Sequence, residues 1–379
     1  MSIDDDLVQL RSTRAILEVR EAVEAGVARD LQRILLPGRP PQVTGARVSY
    51  RHLPAGPAGQ AGGTWFDTIT LPGSRLAIVI GDVIGIGRPG SAPLEVAIMG
   101  QFRTAVRILA TQDLRPDRLL RRLGELARQF GEAYVATCLY AVYDPVARIC
   151  AVANAGHVPP VLVVGGEARP LDVPSGAPIG LEDAYQTAEF EVVDGSRLVL
   201  CTEALLGRNG TAALCAVLGP APEPLEPACD AVLAALVPEK RPQDITLLAV
   251  GLDGIPESDV ASWGLESEAR AVPYARAQTR ETLRAWGLGE LIEVVELLVS
   301  ELVTNALKHG AGAIGLRLVR GSALLCEVAD DGHELPFVCD AEDTDESGRG
   351  MQLVSMLAER WGTHRAESGK VVWFEHLLP

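Results

Sequence analysis

Glu301 and Asn305 stand four residues apart in Glu301-Leu-Val-Thr-Asn305-Ala-Leu-Lys308-His309, inside an apolar stretch from Leu291 to Leu307 that reads as a helix. At that spacing the carboxylate and the carboxamide lie one above the other on one helix face. Buried without partners, each would cost about 1–3 kcal/mol. Their place on such a helix asks for a ligand, and a magnesium nucleotide would use both. Two further segments follow in order. Val328-Ala-Asp330-Asp331-Gly332 closes a strand-like run that begins at Ala323, and Gly348-Arg349-Gly350-Met351 opens a second helical pattern that reaches Arg360. Trp361-Gly362 and Gly369-Lys370-Val-Val-Trp373-Phe374 come behind them.

This ordered set resembles the GHKL ATPases, in particular the anti-sigma-factor serine kinases of the RsbW and SpoIIAB type, over roughly residues 263–379. The resemblance implies ATP and Mg²⁺ as cofactors, and a STAS-type antagonist protein, a sigma factor or both as partners. It makes Asn305 the ligand of the Mg²⁺ that bridges the phosphates, and Glu301 the general base for a target serine. Asp330 would accept the adenine amino group, and Gly332 would let the ring approach the backbone. Gly348 and Gly350 would free amides at a helix N-terminus, where the dipole favours phosphate. Arg349 would add a positive contact, and Lys308 belongs to the same nucleotide-binding set. Cys339 to Ser347 is the expected lid over the nucleotide. Its five carboxylates (Asp340, Glu342, Asp343, Asp345, Glu346) must then face solvent or Mg²⁺.

Upstream, carboxylates recur beside glycines. The segments are Gly62-Gly63-Thr64-Trp65-Phe66-Asp67, Gly81-Asp82-Val83-Ile84-Gly85-Ile86-Gly87, Cys201-Thr202-Glu203-Ala204 and Pro242-Gln243-Asp244-Ile245-Thr246. Asn154-Ala-Gly-His157-Val-Pro-Pro160 and Leu31-Gln-Arg-Ile-Leu-Leu-Pro37 complete the set. Together they resemble the SpoIIE and RsbU branch of the metal-dependent (PPM) protein phosphatases, over about residues 30–250. That family uses two Mn²⁺ or Mg²⁺ ions held by aspartates, because hard cations require anionic oxygens. The resemblance places the metal at Asp82, Val83 and Glu203. Thr64 and Gln243 stand where the family has aspartates, and Glu203 replaces a third, so two of four ligand positions keep a carboxylate. Glu203 is one methylene longer, a displacement of about 1.5 Å, against a working tolerance of order 0.5 Å. The expectation is a phosphatase-like domain that is inactive or impaired. A single-metal enzyme in which Asp67 or Asp244 stands in is the weaker reading. His157 reads as a turn residue rather than a ligand.

The elements that must position these groups follow from periodicity. Strands are expected near 47–50, 64–70, 76–82, 136–143, 149–155, 161–164, 196–200 and 245–250, and helices near 92–110, 116–131 and 226–236. The fold class is therefore α+β: a PPM-phosphatase-like β-sandwich flanked by helices, followed by a GHKL (Bergerat) α/β sandwich. The domain limits are 1–40 for an N-terminal amphipathic helix and linker, 41–250, a linker at 251–262, and 263–379. The first helix, over 12–36, makes a homodimer plausible.

The 379 residues are 47% hydrophobic and 22% charged, ordinary for folded domains. A net charge of −16 argues against a direct nucleic-acid surface. No apolar run reaches the roughly 18 residues of a membrane span, and the acidic start lacks a signal core. The seven cysteines are scattered and never CxxC, which fits reduced thiols in a cytoplasmic protein. The family resemblances together imply a bacterial partner-switching regulator. The alternatives are an active bifunctional kinase and phosphatase, or a scaffold in which ATP only shapes a docking surface.

Overall fold

A computed structural model describes residues 23–41, 43–55, 62–85, 92–129, 134–207, 210–219, 224–334, 349–365 and 369–378. The lid at 339–347, Gly348, Ile86 and residues 12–22 of the first helix lie outside these, as does the side chain of Arg349.

The first half is a four-layer arrangement, helices on either side of two facing sheets. One sheet has the order β1 (Ala46–Leu53), β11 (Ile245–Leu252), β10 (Ser196–Cys201), β6 (Val161–Val164), β7 (Glu167–Pro170). The other runs β2 (Gly63–Thr70), β3 (Leu76–Gly85), β4 (Tyr134–Asp144), β5 (Ile149–Ala155), β8 (Ser175–Gly176), with β9 (Thr187–Glu191) also on β5. Central strands covered on both faces read as nearly continuous apolar runs, and β11, ITLLAVGL, is buried at every position. Phe66, Ile78, Ile80, Leu139, Leu198, Leu248 and Val250 fill the space between the sheets.

Helices cover the outer faces. α2 (Ala92–Ala110), α3 (Pro116–Ala127) and the helix over residues 23–35, α1, pack Phe102, Leu119, Leu123 and Ala28 onto Trp65, Val79 and Tyr140. Gly81 must be a glycine, because a Cβ there would sit 2.3 Å from the Trp65 ring. α4 (Glu203–Leu206), α5 (Gly210–Leu218) and α6 (Leu225–Leu236) cover the other sheet.

The second half is one antiparallel sheet, β12 (Val260–Leu265), β13 (Ile314–Arg320), β14 (Ala323–Asp330), β16 (Lys370–Leu377), β15 (Arg360–Arg365). On one face lie α7 (Ala271–Ala285), α8 (Ile292–His309) and α9 (Arg349–Leu357). The stretch expected as a linker, 251–262, instead ends β11 and starts β12, with a short 3₁₀ turn at Glu257–Asp259 between them. α7 is tied to α8 by Glu296, 5% exposed, which takes a forked pair of hydrogen bonds from Arg280 at 2.6 and 2.8 Å.

The other face of this sheet meets the first half. Val319, Leu325 and Trp373 pack on Ile255, and a cleft of about 620 Å³ is lined by Arg75, Asp113, Arg317, Glu327 and His364. Its charges pair locally, Arg75 with Asp113 and Arg317 with Glu327. Burial pushes His364 down to about 4, so its 3.6 Å approach to Asp113 is that of a neutral ring at pH 7.

Candidate functional site

α8 keeps Val295, Leu298, Val299, Leu302, Val303 and Ala306 in the core. That stripe leaves a flank on which Glu301, Asn305 and Lys308 follow at helical spacing, the first two half-buried and Lys308 exposed. Glu301 faces the start of α9. A Cβ on Gly350 would lie 2.5 Å from Glu301 Oε2, so the bare glycine leaves the carboxylate room to stand where it does. Among the described residues the Glu301 carboxylate has no hydrogen-bond or ionic partner.

Asp330 ends β14 and is 3% exposed. Its Oδ1 accepts from Gly332 N at 2.8 Å and from Lys370 Nζ at 3.1 Å. Its Oδ2 is buried and has no partner among the described residues. Such an orphan carries a desolvation penalty that a donor on a ligand would remove. A Cβ at Gly332 would meet Asp330 Oδ1 at 2.7 Å and the Cα of Gly310 at 2.9 Å, so the backbone here is pared to its minimum. A buried carboxylate with a free oxygen, a carboxamide and carboxylate on the α8 flank, and α9 opening opposite fit a nucleotide with its divalent cation.

At the other candidate centre, Thr64 and Asp82 are register partners on β2 and β3. Thr64 Oγ1 donates to Asp82 Oδ1 at 3.0 Å. Burial, and after it the nearby Asp244, Glu95 and Glu203, push the Asp82 carboxyl up to about 7, with the Thr64 bond opposing. Val83 points the other way, into the helix-side core, so its side chain is no ligand. Glu203 opens α4 and is exposed. Gln243, also exposed, lies in the turn before β11.

The two aspartates offered as stand-ins are committed elsewhere. Asp67 is three residues from Thr64 and therefore on the opposite face of β2. There it is 2% exposed and pairs with Arg103 and Arg107 of α2, both at 2.9 Å. Asp244 accepts from Ala55 N at 2.7 Å, Gly62 N at 3.0 Å and Gln32 Nε2 at 2.6 Å. Gln32, on α1, also donates to Gly62 O at 3.0 Å. Among the described residues no group of three or more His, Cys, Asp or Glu could hold a metal ion. The residues present do not fit two adjacent dications.

Asp67→Ala is expected to lower stability by about 3 kcal/mol, read by urea denaturation, with the calorimetric response to Mn²⁺ the same as that of the natural chain. Loss of cation binding at unchanged stability would return Asp67 to the metal centre.

His157 behaves as a turn residue. Its N–H donates to Asn154 Oδ1 at 2.8 Å and its carbonyl accepts from Asn154 Nδ2 at 2.9 Å. Burial pushes its imidazole down to about 4.

Two facing sheets between helix layers, followed by a sheet with helices on one face and a buried aspartate at its edge, define a phosphatase-like fold joined to an ATPase-like one. Residues 72–253 match the family model "Stage II sporulation protein E (SpoIIE)", and residues 265–375 match "Histidine kinase-like ATPase domain". The chain carries a SpoIIE-type PPM phosphatase domain followed by a GHKL-like ATPase domain. Among solved structures it is similar to the RsbU and RsbW domains of Rv1364c from Mycobacterium tuberculosis, at 25% identity and TM-score 0.52, over 89% of this chain and 94% of that one. It is also similar to the SiaA-PP2C domain of Pseudomonas aeruginosa, at 17% identity and TM-score 0.49, over 63% of this chain and 99% of that one. No curated protein matches. No helix among the described residues is long and apolar enough to cross a membrane.

Proposed function

We propose that this chain is a cytoplasmic bacterial partner-switching regulator. Its second domain, 263–379, binds Mg²⁺–ATP and phosphorylates a serine on a STAS-type antagonist, binds a sigma factor, or both. Its first domain, 41–250, is a phosphatase-like partner that has lost most of its turnover. The observation that carries the kinase half is Asp330 Oδ2, a buried acceptor with no partner among the described residues, on the same face of the sheet as α8. The observation that favours an impaired phosphatase half is the commitment of Asp67 and Asp244 to other groups.

ATP supplies the phosphoryl group, and Mg²⁺ neutralises its oxygens. Asp330 holds the base by accepting from its exocyclic amine, beside the backbone thinned at Gly332. Asn305 offers its carboxamide oxygen to the Mg²⁺, with Lys308 on the same flank. Arg349 and Gly350 at the start of α9 hold phosphate oxygens through backbone amides, a role the sequence pattern extends to Gly348. Glu301 takes the proton of the attacking serine hydroxyl.

Titration calorimetry with Mg²⁺–ATP tests the reading. Asp330→Asn keeps the shape but aims an amide donor at the amine, a donor against a donor. Binding is expected to weaken by about 3 kcal/mol, roughly 100-fold. Unchanged affinity in this variant, or no binding by the natural chain, would remove the nucleotide site.

A further inference from the structure

Lys370 is one of three lysines in the chain, with Lys240 and Lys308. It opens the apolar strand β16 in register with Asp330 and is 2% exposed. An ammonium has three N–H donors. One goes to Asp330 Oδ1 at 3.1 Å and one reaches toward His309 O at 3.4 Å. The third has no acceptor among the described residues. A fully buried lysine is rare without pairing, and a counter-ion for Asp330 alone would need one donor. The ammonium is bonded to Oδ1 of the same carboxylate whose Oδ2 is left over. The pair thus presents a donor next to an acceptor, both desolvated.

The geometry points to Lys370 as a second base-reading group, donating to the ring nitrogen that neighbours the exocyclic amine held by Asp330. This rests on the nucleotide reading above. Adenine carries that acceptor and donor side by side, N1 and the amine on C6. Lys370 would read N1 directly. An uncharged side chain at this position would leave that nitrogen to water. Lys370 is then a specificity-determining residue for the base and has no part in phosphate transfer.

The test compares ATP with 1-deaza-ATP, in which N1 is a C–H, on the natural chain and on Lys370→Met. The natural chain is expected to bind 1-deaza-ATP about tenfold or more weakly, and Lys370→Met is expected to reduce the difference to less than about threefold. Because the methionine leaves Asp330 without its counter-ion and can cost the variant its fold, a second readout uses the natural chain alone. Nζ-¹⁵N-lysine labelling gives three ammonium signals, and the buried one is expected to shift with ATP and not with 1-deaza-ATP. Equal affinity for both nucleotides, or equal shifts, would overturn the role of Lys370 and leave the ATP site standing. Failure to bind either nucleotide would overturn both.

Discussion

Glu301→Gln is expected to cut phosphate transfer to a serine substrate by about 10²–10⁴ while Mg²⁺–ATP affinity stays within about threefold. The two readouts separate because the groups lie on different elements. Asp330 and Lys370, the proposed contacts of the nucleotide base, pair at the ends of β14 and β16. Glu301 stands on α8 against Gly350. Glutamine matches glutamate in size, so the approach of α9 survives, but an amide cannot take a proton at neutral pH. The loose transition state of phosphoryl transfer demands little covalent chemistry from the protein, which places the expected loss nearer 10² than 10⁴. Radiolabel transfer measured beside calorimetry reads both quantities. Transfer by the glutamine variant at the natural rate would strip Glu301 of its role. Nucleotide binding without any transfer by the natural chain would favour the scaffold, in which ATP only shapes a docking surface.

The α8 flank was legible because helical spacing is local. Four residues separate Glu301 from Asn305, and the apolar stripe that orients them lies in the same eighteen residues. Eight strands of the first half were legible for a related reason, an apolar run in most of them, whereas β7 (EARP), β8 (SG) and β9 (TAEFE) carry none and were missed. Asp67 shows where this stops. Its partners, Arg103 and Arg107, lie on another element and meet it only when α2 packs on the sheet. One local signal was still present, since Thr64 and Asp67 differ by three positions in a strand and must point to opposite faces. Gln32 offered no such signal. It meets Asp244 across 212 positions of chain, and nothing in its own segment marks it as buried. Lys370 is intermediate. A lysine at the head of Val-Val-Trp-Phe is conspicuous, but its partner is set by strand register, which a single sequence does not specify. β12 was missed because its burial is partial, and VASWGL alternates too weakly to stand apart from the turn before it.

Restoring aspartates at the three altered positions, in the variant Thr64→Asp, Glu203→Asp, Gln243→Asp, is expected to make the chain less stable without cations and strongly responsive to Mn²⁺. The starting point is already crowded, because burial and three neighbouring carboxylates push Asp82 up from an ordinary 3.8 to about 7. An acid whose folded value is raised keeps its proton longer in the native state than in the unfolded one. Native stability therefore falls as pH rises between about 4 and about 7. Thr64 relieves the crowding by donating to Asp82. The Thr64→Asp change removes that donor and adds a charge at the same distance, which steepens the fall. A bound cation reverses the sign, since it competes with the protons and its stabilisation grows with pH. At a Mn²⁺ concentration of about 100 times Kd the variant gains about 2.7 kcal/mol, a rise in Tm of roughly 5–10 °C for a domain of this size. The natural chain, with Asp67 held by arginines and Asp244 by three N–H donors, is expected to rise by less than about 2 °C. Thermal melts at pH 6 and pH 8, with and without Mn²⁺, measure all of this. A natural chain that gains as much from Mn²⁺ as the variant would mean that its two remaining carboxylates hold cations after all, and the reading of an impaired phosphatase half would fall.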